Sequence, residues 1–161
     1  MEALEVQGID TDEQDAEARA LQLVAFSISE QIYGVEITTV REIRAWNGAT
    51  PLPNTREFVR GVINLRGTIV PIYDLRARFG DSQTSPTKTH VVVVMSVGEK
   101  WVGILVDAVS DILTVQRDDV QNVPENSGED TELLSGVITH DSRMVGLIDL
   151  HAIVAGLKVE A

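Results

Sequence analysis

The chain has 161 residues and a mass of 17.6 kDa, the size of one ordinary domain or two small ones. Its 43% hydrophobic and 24% charged residues exclude a disordered chain, and a domain of this length buries roughly 68–70% of its unfolded surface without metal or disulfide. No cysteine is present, which excludes disulfides, thiolate nucleophiles and cysteine–metal sites. No stretch approaches a membrane span of about 18 apolar residues, and Glu2 and Glu5 stand where a signal peptide needs Lys or Arg. A cytoplasmic protein is expected.

The net charge of −12 is unevenly spread. Residues 1–20 hold seven acids and one arginine, a net −6, and read as a solvated tail with a capping-box pattern at Thr11–Gln14. Residues 41–78 hold seven arginines against three acids, a net +4. A basic surface on an acidic molecule favours a protein partner with an acidic patch over a nucleic acid.

From Leu21 the pattern turns to strands. Leu23–Ile28 is an apolar run, Ser29-Glu30-Gln31 a turn, and Tyr33, Val35 and Ile37 alternate with Gly34 and Glu36, so a hairpin is expected. Pro51-Leu52-Pro53-Asn54 interrupts the chain, and Thr55–Val59 has room for one helical turn. Gly61–Leu65 and Thr68–Tyr73 read as strands joined at Arg66-Gly67, with Pro71 pointing to an edge or a bulge. A polar linker over 81–89 follows.

The pattern then repeats. At an offset of 69, Val24, Gly34, Val35, Ile37, Val40, Glu42 and Ile43 map onto Val93, Gly103, Ile104, Val106, Val109, Asp111 and Ile112. At an offset of 75, Gly61-Val62-Ile63 maps onto Gly136-Val137-Ile138, and Asp74-Leu75 onto Asp149-Leu150. Two copies of a five-stranded unit are implied, over about 21–80 and 90–150, with an insertion of six residues expected in Pro124–Thr131. The turn spacing favours an all-β protein of two small barrels. A helix over Leu150–Leu157, capped by Asp149, closes the chain.

No chemistry stands out. His90, His140 and His151 lack metal-ligand spacing, no G-x-S-x-G elbow is present, and Gly61…Gly67 lacks the Lys-Ser/Thr of a phosphate loop. Catalytic residues, metals and cofactors are therefore not expected. The copies differ at one loop: Asn64-Leu65-Arg66-Gly67 in the first, Thr139-His140-Asp141-Ser142 in the second. Glu42, between apolar Val40 and Ile43, is expected to pair with Arg66 and position that loop, with Gly67 supplying positive φ. Val24, Ile37, Val40, Ile43, Val106, Val109 and Ile112 exceed what two separate small cores need. They either pack one copy on the other or line a shallow groove for a partner's helix.

Tyr33-Gly34-Val35-Glu36-Ile37, Val40-Arg41-Glu42-Ile43, the run from Phe58 through Gly67, Ile69-Val70-Pro71-Ile72, Asp74-Leu75-Arg76 and Val102–Val109 together resemble the CheW family of chemotaxis coupling proteins. The resemblance covers about residues 21–157 and leaves the acidic tail outside. It implies two SH3-like five-stranded barrels and no catalysis. It also implies two partners: the cytoplasmic tip of a transmembrane chemoreceptor (a methyl-accepting chemotaxis protein) and the regulatory domain of the histidine kinase CheA. By motif, Val24, Ile37, Val40, Ile43 and Val109, with Val106 and Ile112, line the receptor groove. Glu42, Gly61, Asn64 and Arg66 match positions tied to receptor and kinase coupling, without division between the two. The implied location is cytoplasmic, at receptor arrays, without membrane insertion. An adaptor of a type IV pilus pathway and, more distantly, a nucleic-acid-binding small barrel are the alternatives.

Overall fold

The computed structural model describes residues 20–79, 84–123 and 133–158. The expected tail up to residue 19, residues 81–83 of the linker and the expected insertion at 124–131 lie outside them. Ten strands are described: β1 Ala20–Ile28, β2 Gln31–Glu36, β3 Val40–Ala45, β4 Val59–Leu65, β5 Thr68–Asp74, β6 Val91–Val97, β7 Lys100–Val106, β8 Ala108–Gln116, β9 Leu134–His140 and β10 Arg143–Ile148. Two short helices, α1 (Leu75–Arg78) and α2 (Leu150–Lys158), follow β5 and β10.

Local chemistry explains the hairpins. Ser29 and Glu30 both have positive φ (51° and 70°), as do Arg66 and Gly67 (51° and 91°) and Asp141 and Ser142 (50° and 66°). Two successive positive-φ residues match the right-handed twist of paired strands. The cap expected on the last helix is present: Ala152 N–H donates to the Asp149 side chain at 3.2 Å. Where a helical turn was expected at 55–59, a single turn closed by Val59 N–H to the Arg56 carbonyl (3.0 Å) leads straight into β4.

The strands form two five-stranded sheets, ordered β8-β1-β2-β10-β9 and β3-β6-β7-β5-β4. Each repeat lends its first two strands to the other: β1 and β2 join β8–β10, and β6 and β7 join β3–β5. The two orders coincide once each strand is replaced by its counterpart in the other repeat, so the copies along the chain and the sheets in space are different units.

β5 lies inside its sheet, so Pro71 is neither at an edge nor at the β4–β5 bulge, which falls between Val59 and Gly61. The proline is tolerated for another reason. Its partner Val62 spends both backbone groups on Thr50 (2.8 and 2.9 Å), so no ladder bond from Pro71 is required on that side. Parallel pairing with β7 begins only at Ile72.

Three apolar clusters fill the molecule. Leu21, Leu23, Val115, Ile138, Val145 and Leu147 form the core of the first sheet, and Leu65, Val70, Ile72, Val92, Val94 and Leu105 that of the second. The largest lies between the sheets and unites Phe26, Val24 and Val35 with Tyr73, Met95, Ile104 and Val106, under Ile153 and Val154 of α2. Tyr33 stacks on Phe79 across it, centroids 4.9 Å apart. Polar clasps flank this seam. Asp107, between β7 and β8, accepts from Ser29 N–H (2.9 Å) and from Arg76 Nη2 (3.0 Å to each oxygen), with His90 Nε2 at 3.4 Å. Buried Asp74 accepts from the Thr84 amide (2.7 Å) and hydroxyl (2.8 Å).

Among the described residues three buried polar atoms have no hydrogen-bond partner, the Tyr73 hydroxyl and the Nε atoms of Arg76 and Arg78; burial pushes the Tyr73 pKa up to about 12. An unfolded tyrosine titrates near 10. Between about pH 10 and 12 the unfolded chain holds fewer protons than the folded one, so this group makes stability fall as pH rises through that window. Tyr73→Phe removes both the orphan hydroxyl and the titration. Urea unfolding is expected to show a gain of about 1 kcal/mol at neutral pH and a shallower decline above pH 10; a loss of stability would mean that the hydroxyl is satisfied.

Candidate functional site

Strands β3 and β4 are opposite edges of one sheet, yet the chain brings them together. Thr50, just beyond β3, pairs with Val62 on β4. Arg66 Nη1, at the β4–β5 turn, donates to Glu42 Oε1 on β3 at 2.9 Å. The expected Glu42–Arg66 pair thus bridges the open side of the barrel. Arg44 Nη1 reaches the other Glu42 oxygen at 3.5 Å, a second arm that the sequence reading missed. Arg66 remains 69% exposed while Glu42 is 26% exposed, so the guanidinium is still available. Such a pair contributes about 0–1 kcal/mol, against about 1.5–3 kcal/mol for one buried aliphatic side chain. Apolar burial therefore closes the barrel, and the ion pair aims the turn.

The other sheet closes by the same backbone device, Gln121 pairing with Val137, and among the described residues no ion pair corresponds to that of Glu42 and Arg66. Its residues at the corresponding places are Asp111 and Asp141, two acids. Asp111 accepts from the adjacent Ile112 amide instead (2.7 Å).

Gly61 and Asn64 shape the site from below. Gly61 has φ +136°, and a Cβ there would lie 2.3 Å from the Thr50 carbonyl oxygen, so only glycine lets β4 approach Thr50. Asn64 Oδ1 accepts from Gly67 N–H at 2.7 Å and locks the turn that presents Arg66. Of the four residues expected to take part in coupling, Arg66 and Asn64 are exposed; Glu42 holds Arg66, and Gly61 and Asn64 set the backbone.

The seven apolar positions divide. Val24 and Val106 are fully buried in the seam and have no surface to offer a partner. Ile37, Val40 and Val109 are half-buried and pack against the seam from outside. Ile43 and Ile112 are 46% and 53% exposed, at matching places on the edge strands β3 and β8. The seam is thus filled at its centre and bordered by a lip of half-buried Ile37, Val40 and Val109, with exposed Ile43 and Ile112 farther along the same edge strands as Val40 and Val109. Exposed Ile69 and Met144 form a second matched pair, on β5 and β10, and were missed; the offset of 75 that relates Gly61 to Gly136 also relates these two.

Among the described residues no three His, Asp or Glu side chains converge on a point that could hold a metal, and no helix is long and apolar enough to cross a membrane. What the molecule presents is shape, an apolar lip and an aimed arginine, the equipment of a scaffold domain that works by contact. A family model for the CheW-like domain matches residues 22–158, and the chain belongs to that family, whose members are non-catalytic chemotaxis scaffold adaptors. It is 45% identical over 141 residues to the probable chemotaxis protein CheW of Rhizobium etli, covering 87% of this chain and 91% of that one. It is 37% identical to chemotaxis protein CheW of Klebsiella aerogenes, covering 83% and 81%. The crystal structure of the scaffolding protein TtCheW from Thermoanaerobacter tengcongensis superposes with a TM-score of 0.75 at 32% identity, covering 81% of this chain and 84% of that one.

Two glycines give a paired test. Gly67→Ala puts a methyl group into open space at φ +91° and is expected to cost about 1 kcal/mol, whereas Gly61→Ala adds a backbone collision and is expected to cost at least about 3 kcal/mol. Urea midpoints at unchanged slope measure both; equal losses would refute the close approach of Thr50.

Proposed function

We propose that this chain couples the cytoplasmic tips of transmembrane chemoreceptors to the regulatory domain of the histidine kinase CheA, binding both without a chemical step. The observation that carries the reading is the coincidence on β3 of two features. Val40 and Ile43 belong to the apolar lip, and Glu42 between them holds the exposed Arg66 turn. A receptor's helical hairpin would lay apolar side chains along Ile37, Val40, Ile43, Val109 and Ile112, with Val24 and Val106 as the floor beneath them. Arg66 would meet an acidic group on one of the two partners. The barrel ends would pair with the like-folded kinase domain, and signals would pass as changes in how these contacts pack. The chain would be cytoplasmic and reach the membrane only through receptor arrays, with no direct insertion.

A second reading, an adaptor of a type IV pilus or other chemosensory-like pathway, is kept by one relative of different name. Protein FrzA of Myxococcus xanthus is 30% identical over 127 residues, covering 76% of this chain and 78% of that one. A nucleic-acid barrel has less support: the net charge is −12, and Phe26 and Tyr73 are buried, where no base could stack on them.

Co-sedimentation with receptor-containing membranes and CheA tests the proposal. Arg66→Glu is expected to lower assembly several-fold while changing unfolding stability by no more than about 1 kcal/mol. Undiminished assembly by the folded variant would count against the site, and failure of the unaltered chain to sediment with either partner would count against the function.

A further inference from the structure

We propose that the cavity between the start of α2 and the β6–β7 turn binds a small amphiphilic carboxylate, held by counterparts of the donors that bind Asp107 in the other half of the molecule. The chain crosses between sheets at Ile37–Thr39 and at Asp107, and the repeat offsets of 69 and 75 place these crossings in register. At one of them Asp107 is clasped by Ser29 N–H, Arg76 and His90. At the other, Thr38 stands for Asp107, Gly98 for Ser29, His151 for Arg76 and Leu21 for His90. The two turns are alike. Ser29 and Gly98 each open a two-residue hairpin, between Ile28 and Gln31 and between Val97 and Lys100, at φ 51° and 62°. The second crossing therefore keeps a backbone donor and a side-chain donor, with a threonine where the first has its acceptor.

Gly98, His151 and Leu21 line one cavity of ≈ 490 Å³, within the range of about 300–1,000 Å³ usual for small-molecule sites. The rest of its lining describes the body of the ligand. Leu21, Leu23, Val35, Leu147 and Ile148 are apolar and buried, so the walls favour a hydrocarbon chain. Leu21, in the place of His90, turns a polar contact of the clasp into part of that wall. The acids at the cavity are already engaged: Glu36 Oε1 lies 3.7 Å from Arg117 Nη2, and Asp149 accepts from Ala152 N–H at 3.2 Å. An amine would meet the Gly98 N–H, a donor facing a donor, and an alcohol would bring a single neutral oxygen. A carboxylate accepts from both Gly98 and His151, as Asp107 accepts from both Ser29 and Arg76. The inference does not depend on who the protein partners are.

Amide NMR titration of the full chain with octanoate tests it. Saturable shifts are expected at Gly98, Val35, Ile148 and His151, with a Kd on the order of 1 mM or tighter for a ligand of roughly ten non-hydrogen atoms. Octylamine and 1-octanol keep the hydrocarbon and lack the carboxylate, and should bind at least about ten-fold more weakly. His151→Ala, at an exposed position, is expected to weaken octanoate about ten-fold while the spectrum away from the cavity stays unchanged. Thr38→Asp supplies the carboxylate from the chain itself. It is expected to shift the Gly98 amide without ligand and to abolish octanoate binding. Four outcomes would overturn the proposal: no saturable binding by the unaltered chain, shifts centred outside the cavity, equal binding of octylamine, or undiminished binding by the folded Thr38→Asp variant.

Discussion

Reciprocal exchange of strands is the constraint from which the rest of this molecule follows. Neither repeat can complete a sheet alone, because its first two strands belong to the other. The chain must cross between sheets at Ile37–Thr39 and again at Asp107, and both crossings run beside the seam. The largest apolar cluster forms there rather than inside either barrel. Stability and relative placement of the barrels thus come from one set of contacts, reinforced by the clasp of Asp107 on Ser29 and Arg76. A partner gripping the lip of the seam would push on the same packing that fixes one barrel against the other.

Symmetry in the backbone makes the asymmetry in charge easier to interpret. Both barrels close through the same pair of backbone bonds, Thr50 with Val62 and Gln121 with Val137. Closure does not require an ion pair, since the second barrel manages with Asp111 and Asp141 in those places. Glu42 and Arg66 are therefore surplus to stability, and the energetic comparison agrees: their pair is worth no more than a fraction of one buried valine. What they provide is direction, a guanidinium held in a fixed place by a carboxylate, a turn and an asparagine lock.

The repeat, the hairpins and the terminal cap were readable in the residues because each rests on local chemistry: alternation, paired turn residues, an Asp before an apolar helix. The Glu42–Arg66 pair was readable because opposite charges stood at places where the other copy has two acids. Strand exchange was not, for a physical reason. Alternation says which face of a strand is buried and nothing about which strand it is buried against. The same limit left Val24 and Ile43 indistinguishable as β-branched positions, although one is sealed in the seam and the other lies on an edge. Asp107 was missed because its partners Ser29, Arg76 and His90 are distant in sequence and meet only across the crossing.

The edges of the sheets bear on how a partner can bind. An edge strand with free backbone groups invites another strand to add to it. Both edges at the lip carry a bulge at the same place in the repeat. Arg41 is the extra residue in β3, where the register with β6 shifts between Val40 and Glu42. Ser110 is its counterpart in β8, where the register with β1 shifts between Ala25 and Phe26. Each is tied back by its side chain, Arg41 Nε to the Ser96 hydroxyl at 3.1 Å and the Ser110 hydroxyl to the Ala25 carbonyl at 3.2 Å. A bulge breaks the regular row of donors and acceptors and increases local twist, so strand addition is disfavoured along both lips. Side chains are what remains to be contacted: Val40 and Ile43 on one edge, Val109 and Ile112 on the other. A helix, which satisfies its own backbone and presents only side chains, can meet such edges where another strand cannot add.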